Sequence, residues 1–320
     1  MKPICAILAL GMTVCGGAIA ETKFPQNQVT LIVPQSPGGA SDVLARILAE
    51  KLAGISGQPV VVENRAGAGG NIGLGAVSKA APDGYTLLLS YEGTQAINAS
   101  LYRKLSYDPI KDFVPVATVA TVPFVLVVNN DVKATTFQEF VALAKTTTGM
   151  TFGSAGNGSV NHLLGEMVNL STGTRLTHVP YKGAGAAMTD LLGKRIDAVF
   201  TSYPSIAPQI SAHSVRALAV TSAARATQLP ELPTIAEAGF PGFDVNPWFG
   251  LFAPAGTPEE IVDKINTDVA ALLKDPEVAG SFSKQGATPL QSTPSEFKHR
   301  LASDSEKWRA VVTQAGARVD

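Results

Sequence analysis

Apolar positions along this chain alternate between two periods. Val29 to Pro34 is apolar at almost every position, whereas Asp42 to Leu52 returns to an apolar side chain every three or four residues, at Val43, Leu44, Ile47, Leu48 and Leu52. A short continuous run suits a strand covered on both faces, and the wider spacing suits one face of a helix. Pro59 to Asn64 and Tyr85 to Tyr91 repeat the strand pattern. Between them lie the glycine-rich stretch Gly67 to Gly75 and a helix that ends before Pro82-Asp83-Gly84. As far as Tyr91 the chain therefore predicts a βαβαβ unit of α/β class.

Beyond it, Phe113 to Val128 is a long, nearly uncharged β-prone run, and Thr136 with Glu139 predicts a capping box for a helix from Phe137 to Lys145. A second α/β unit follows. Its predicted strands are Met150 to Ser154, Thr177 to Pro180, Ala198 to Tyr203 and Ala217 to Thr221, with helices near Val160 to Leu170 and Ala186 to Leu192. Proline and glycine crowd Leu229 to Pro247. A strand-like Trp248 to Ala253 then precedes two helices, each opened by a Thr-Pro pair, at Thr257, Pro258 and Glu260 and at Thr293, Pro294 and Glu296. Two long extended runs thus separate three blocks, and the simplest assembly returns the C-terminal helices to the first unit. The expected architecture is two lobes, each a βαβ-based mixed sheet flanked by helices and joined by a two-strand hinge. Residues 21–123 with 246–320 form one domain, and 124–245 the other.

The first twenty residues read as an export signal rather than part of either lobe: Lys2, an apolar run from Ile4 to Val14, and the small-residue site Ala18-Ile19-Ala20 before Glu21. Both cysteines, Cys5 and Cys15, fall inside it, so the mature chain is expected to lack disulfides, thiolate metal sites and a cysteine nucleophile. A lipidated Cys15 is the competing reading, opposed by the bulky Val14 beside it. With 25 basic against 26 acidic residues and no basic cluster, the chain does not suit nucleic acid. Its 45% hydrophobic content argues against disorder.

Two strand-to-helix loops carry the candidate chemistry. Ser36-Pro37-Gly38-Gly39-Ala40-Ser41-Asp42 offers glycines for close backbone approach and Ser41 as a helix cap, and its free amides suit a carboxylate. Ser154-Ala155-Gly156-Asn157-Gly158-Ser159 repeats the pattern in the second unit, with Ser159 as cap and His162 in the first helical turn. Tyr181 and Lys182, Thr201 and Ser202 lie at further strand ends, the edge where α/β ligands usually sit. Glu92, followed by Gly93 and Thr94, either faces solvent or meets an amine on a ligand, and Trp248 either lines the cleft or packs at the hinge. A dinucleotide reading of Gly67-Ala68-Gly69-Gly70-Asn71-Ile72 fails, because Ile72 stands where the fingerprint wants Gly or Ala and the stretch follows the second strand of the block. No Gly-x-Ser-x-Gly elbow or metal-ligand spacing occurs around His162, His178, His213 and His299, so no cofactor or metal is expected. An exported hydrolase acting on an ester of a small acid is the alternative, because a Ser-His-Asp set can assemble from distant positions.

Further motifs run almost the whole length of the chain. They are Pro37-Gly38-Gly39 with Asp42, Ala45 and Arg46; Glu63-Asn64-Arg65-Ala66-Gly67-Ala68-Gly69-Gly70-Asn71-Ile72-Gly73; and Pro82-Asp83-Gly84-Tyr85-Thr86. Later come Val179-Pro180-Tyr181-Lys182-Gly183, and Trp248 with Gly250 before Ala253-Pro254-Ala255-Gly256-Thr257-Pro258. In these the chain resembles the substrate-binding proteins of tripartite tricarboxylate transporters, the Bug-type receptors. The resemblance implies a type II-like periplasmic binding protein, expected to be monomeric, that closes on a small carboxylate (a dicarboxylate, an aromatic acid or an acidic amino acid) and delivers it to a membrane permease. It also implies that main-chain amides and ordered waters hold the carboxylate, here at Ser36 to Ser41 and Ser154 to Ser159. Ser36 stands where the family often has an aromatic residue and Ala99 where it has proline, and a small residue at the mouth leaves room for a bulkier acid.

Overall fold

A computed structural model describes residues 24–319. The export segment, its cleavage site and both cysteines lie outside the described residues. The first sheet takes β1 (Val29–Val33), β2 (Val60–Asn64), β3 (Thr86–Tyr91), β4 (Phe113–Thr121), β10 (Trp248–Pro254) and β11 (Thr288–Pro289), in the spatial order β11-β4-β10-β3-β1-β2. Its helices are α1 (Ala40–Ser56), α2 (Asn71–Val77), α3 (Asn98–Leu101), α8 (Glu259–Leu273), α9 (Pro276–Lys284) and α10 (Pro294–Ala315). The second sheet takes β5 (Phe124–Asn129), β6 (Thr151–Ser154), β7 (Thr177–Pro180), β8 (Ala198–Ser202) and β9 (Val215–Val220), in the order β7-β6-β8-β5-β9. It carries α4 (Phe137–Thr146), α5 (Val160–Thr172), α6 (Ala184–Leu192) and α7 (Tyr203–Ser211). The protein is thus two-lobed and α/β.

The strand runs are apolar throughout because both faces are covered. Leu31, Val33, Leu87 and Leu89 point to one side of the first sheet, into a core with Leu44, Leu48, Val269 and Phe282. Ile32 and Leu88, one position out of phase, enter a second core that runs on through Trp308, Leu163, Phe152 and Phe137 into the other lobe. Val125 and Val127 face a third core with Ala187, Leu191 and Ile206.

Strand register decides which loops face each other. In the first sheet β10 pairs antiparallel with β3 and β4, placing Trp248 beside Thr121 and Phe249 beside Tyr91. The chain therefore leaves and re-enters this sheet at the edge where the parallel strands β1, β2 and β3 end. In the second sheet Phe124 pairs with Ser202 and Val125 with Val220, so β5 begins where β8 and its parallel neighbour β6 end. Both sheets turn the C-terminal edges of their parallel strands toward the two crossing segments. These crossings are tied together, the Val122 amide donating to the Pro247 carbonyl at 3.1 Å.

The run Phe113 to Val128 supplies one strand to each sheet, parting at Val122-Pro123. Several local expectations need correction. Ser41 does not cap α1: Gly39 occupies that position with no side-chain bond, and the Asp42 carboxylate folds back to the Gly38 amide instead. Thr257 does not cap α8 either, since its hydroxyl donates to the Pro254 carbonyl and the helix starts at Glu259. Thr136 accepts the Glu139 amide as expected, but the Glu139 carboxylate reaches Thr135, whereas the reciprocal box does form at Thr293 and Glu296. Three helices follow β10 rather than two, because Asp275 caps the short α9 and Pro276 opens it. Tyr203 begins α7 instead of ending β8.

The crossings are not the only link between lobes. The first half of α10 packs on the first sheet through Phe297, which fills the space left by Gly250. Further along, α10 packs on α5 of the second lobe, and Lys307 donates to the Asp244 carbonyl there at 3.4 Å. Leu101 at the end of α3 lies against Gly158, so close that a Cβ on that glycine would meet it at 2.4 Å.

Candidate functional site

The two loops at the facing edges are built on one plan. In the first lobe β1 ends at Val33, and Ser36, Pro37, Gly38, Gly39 and Ala40 are exposed before α1 buries its apolar face. Gly38 has φ +85°, a left-handed backbone that suits glycine, and its amide donates to Asp42 Oδ2 at 2.9 Å. In the second lobe β6 ends at Ser154, and Gly158 has φ +75° with its amide donating to His162 Nδ1 at 3.0 Å. In each case a side chain in the first helical turn reaches back four residues to hold a loop amide. The helix starts leave the amides of Ala40 and Ser41, and of Val160 and Asn161, without intrahelical acceptors. Ala155 and Asn157 likewise have no acceptor for their amides among the described residues. These donors, with the positive ends of two helix dipoles, suit anionic oxygens without any lysine or arginine.

Each clamp is backed by its own network. Asp42 is buried and also accepts from Arg46 Nε at 3.1 Å and Asn64 Nδ2 at 3.0 Å, while Asn64 donates a second bond to the Gln35 carbonyl at 3.1 Å. Burial alone would raise its carboxyl pKa, but the bonds from Arg46, Gly38 and Asn64 outweigh it and hold the group below the usual range. Behind the loop, Gln35 Nε2 donates to Thr94 Oγ1 at 3.0 Å. The glycine stretch after β2 lets this backing approach: a Cβ on Gly73 would lie 2.7 Å from the Pro34 side chain and 2.9 Å from its backbone. That segment therefore buttresses the first loop.

In the second lobe Ser159 caps α5, its hydroxyl accepting the His162 amide at 3.3 Å and donating to the Gly156 carbonyl at 2.7 Å. Ser154 Oγ accepts the Gly156 amide at 3.0 Å and lies 2.6 Å from His178 Nε2. Burial and the neighbouring His162 push the His178 pKa down to about 4, against a small upward effect of Glu166. Tyr181 is half-buried beside the loop with its hydroxyl on Asp190 at 2.8 Å, and Lys182 is exposed. Thr201 is buried at the end of β8, and Ser202 shares a 2.8 Å bond with Ser205.

Four expected ligand contacts are placed otherwise. Glu92 is 1% exposed, and Trp308 Nε1 donates to its carboxylate at 2.5 Å, with Lys307 Nζ 3.9 Å away. Burial and the charge of Asp304 raise its pKa to about 7, against Lys307, Trp308 and the Trp248 backbone, so its business is with α10 and not with a ligand amine. Trp248 is fully buried, edge-on to Phe297 at 4.9 Å between ring centroids, with its indole donating to Asp304 at 2.9 Å; it packs rather than lines. Gly93 and Thr94 lie in a buried π-helical turn, Gly93–Ile97, from which Thr94 supports Gln35. Gln35 and Asn64 stand in or beside recognised motifs without a role, and the sequence reading gives His178 none. No local signal marks these roles, because each acts on a residue distant in the chain.

The family model described as tripartite tricarboxylate transporter family receptor matches residues 44–317. This chain belongs to that family. Within it, the chain is 39% identical to Protein BugT of Bordetella pertussis over 323 residues, covering 100% of this chain and 99% of the relative. Among solved structures, an R. palustris protein with adipate shares 37% identity with a TM-score of 0.82, covering 92% of this chain and 100% of that one. MatC from Rhodopseudomonas palustris with bound malate shares 33% identity with a TM-score of 0.77, covering 90% and 100%. The tripartite tricarboxylate transporter receptors are solute-binding proteins, so two opposed amide-rich loops are in keeping with this membership.

Proposed function

We propose that this protein is a periplasmic receptor that captures a small dicarboxylate between its lobes and delivers it to the permease of a tripartite tricarboxylate transporter. The observation that carries this reading is the matched pair of loops, Ser36 to Ser41 and Ser154 to Ser159, each ending a parallel strand and opening a helix at facing edges. One carboxylate at each loop would meet amides and hydroxyls only. That the relatives noted above were solved with adipate and malate supports an acid with a carboxylate at each end. Both loops come from one chain, so the site is complete in a monomer. A ligand bound to both lobes favours the closed form by its differential affinity for open and closed states, and the two tied crossings serve as the hinge.

Ser154 with His178 is the nearest approach to hydrolase machinery, and it argues the other way. Ser154 is 1% exposed, and its oxygen is occupied by the Gly156 amide. No carboxylate orients the other nitrogen of His178 among the described residues, and a base with a pKa of about 4 is a poor match for neutral pH.

Calorimetry and thermal unfolding with adipate, malate, aromatic acids and acidic amino acids test the receptor reading. Ligand at 100 times its dissociation constant should add about 2.7 kcal/mol to stability, and the acid should be recovered unchanged. Turnover of a small ester, or no binding across the panel, would overturn it.

A further inference from the structure

The first turn of α5 and the end of β7 bring two imidazoles together beneath the second loop. The rings of His162 and His178 stack with centroids 3.8 Å apart and planes 15° from parallel. His162 Nδ1 accepts the Gly158 amide at 3.0 Å, and this requires that nitrogen to be unprotonated. Its other nitrogen faces Glu166 at 3.6 Å. On the second ring, Nε2 lies 2.6 Å from Ser154 Oγ. The Ser154 hydroxyl has two acceptors in reach, the Gly156 carbonyl at 3.1 Å, which already accepts from the Ser159 hydroxyl and amide, and the nearer His178 Nε2 at 2.6 Å, to which its proton is assigned. With that proton spent, Ser154 turns a lone pair to the Gly156 amide at 3.0 Å. Thus two neutral rings fix the two loop amides that are not left free. Phe152 closes the underside, its ring 5.1 Å from His178 and 6.4 Å from His162, and Glu166 is the charged group recorded against the pair.

We propose that His178, acting through Ser154, and His162, acting through Gly158, are a stacked positioning pair that sets the shape of the second loop for carboxylate binding. This rests on the reading of that loop as a ligand grip. Neither ring is asked to touch the acid: they determine where the amides of Ala155 and Asn157 point. The pair works only while the accepting nitrogens carry no proton, and burial with the neighbouring His162 disfavours charging His178.

The test is a comparison of His178→Phe, which keeps an aromatic ring and loses the acceptor, with His178→Gln, whose amide oxygen can stand in for Nε2. Amide hydrogen exchange at Gly156 and Gly158 is followed without ligand, and adipate and malate affinity is followed by calorimetry. His178→Phe should exchange faster at Gly156 and bind roughly tenfold or more weakly, the usual penalty for an orphaned buried partner, and His178→Gln should restore both. Unchanged exchange in His178→Phe would overturn the proposal. Faster exchange with wild-type affinity would instead overturn the loop's part in binding. If the wild-type protein binds neither acid, the dicarboxylate reading falls, and exchange still decides whether the pair shapes the loop. His162→Leu against His162→Asn gives the same comparison at Gly158 should His178→Phe fail to fold.

Discussion

The two strand-to-helix loops share a geometry and differ in the chemistry that holds it. Gly38 is held by Asp42 and Gly158 by His162, each at a distance of four residues and each with a left-handed glycine. In the first lobe the acceptor is a carboxylate kept ionised by Arg46, Gly38 and Asn64. In the second it is a neutral imidazole backed by another. A carboxylate has two oxygens and can hold Gly38 while Arg46 and Asn64 bind it as well, whereas the ring nitrogen of His162 offers a single lone pair to Gly158. One clamp is therefore a shared ionic hub, and the other is a single neutral bond. The lobes also differ in exposure: Gly38 stands clear of other atoms, while Gly158 is pressed against Leu101 of the opposite lobe.

Breaking the carboxylate clamp should give the largest effect. Asp42→Ala strands the Gly38 amide, Arg46 and Asn64, and should cost about 2–4 kcal/mol of stability in chemical unfolding as well as most of the affinity for a dicarboxylate. Asp42→Asn, which keeps two acceptor sites on one oxygen, should recover part of both. Equal behaviour of the two variants would show that charge and not geometry matters here.

Next in size is the contrast between glycines. Gly38→Ala meets nothing within 4 Å and should cost only the left-handed strain, about 1–2 kcal/mol. Gly158→Ala carries the same strain and must also displace Leu101, so it should be the more destabilising of the two by thermal unfolding. It should also weaken the contact between lobes.

Smaller and slower in onset are the pH effects, and they run in opposite directions. His178 has its pKa lowered from about 6.5 to about 4, so the unfolded chain binds more protons in that window and stability should fall as pH drops through it. Glu92 has its pKa raised from 4.5 to about 7, so its contribution is present below pH 4.5 and lost as pH rises through 7. His178→Gln should flatten the acid limb of the stability profile and Glu92→Gln the neutral limb, each leaving the other in place. A single variant flattening both would mean that the two clusters titrate as one unit across the lobes.

The smallest effect is expected from Arg46→Met. The Arg46 side chain is 54% exposed, and its pair with Asp42 should be worth under about 1 kcal/mol, because exposed ion pairs are screened by water. Asn64 and Gly38 remain to hold the carboxylate. A loss as large as that of Asp42→Ala would shift the clamp from the backbone bond to the ion pair.

How much of this was legible beforehand depends on whether each contact is local. The loops themselves could be read from the chain, since glycine beside a polar cap between a strand and a helix is a pattern of adjacent residues. Ser159 capped α5 as its neighbours implied. Ser41 did not cap α1, because Asp42 offered a stronger, charged acceptor one residue later. Glu92 and Trp248 could be recognised as unusual, but their partners, Trp308, Lys307 and Asp304, lie more than fifty residues away on α10. The two α/β units, the two crossings and the pair of amide-rich loops could be read in the chain, because strand and helix periods, glycine and caps are local properties. Packing was needed to show that the glycine stretch after β2 buttresses the first loop, that α10 bridges the lobes, and that His178 lies under Ser154. The last follows from β6 and β7 pairing in parallel with Phe152 opposite His178, a register fixed by which faces must be buried and not by any residue near either histidine.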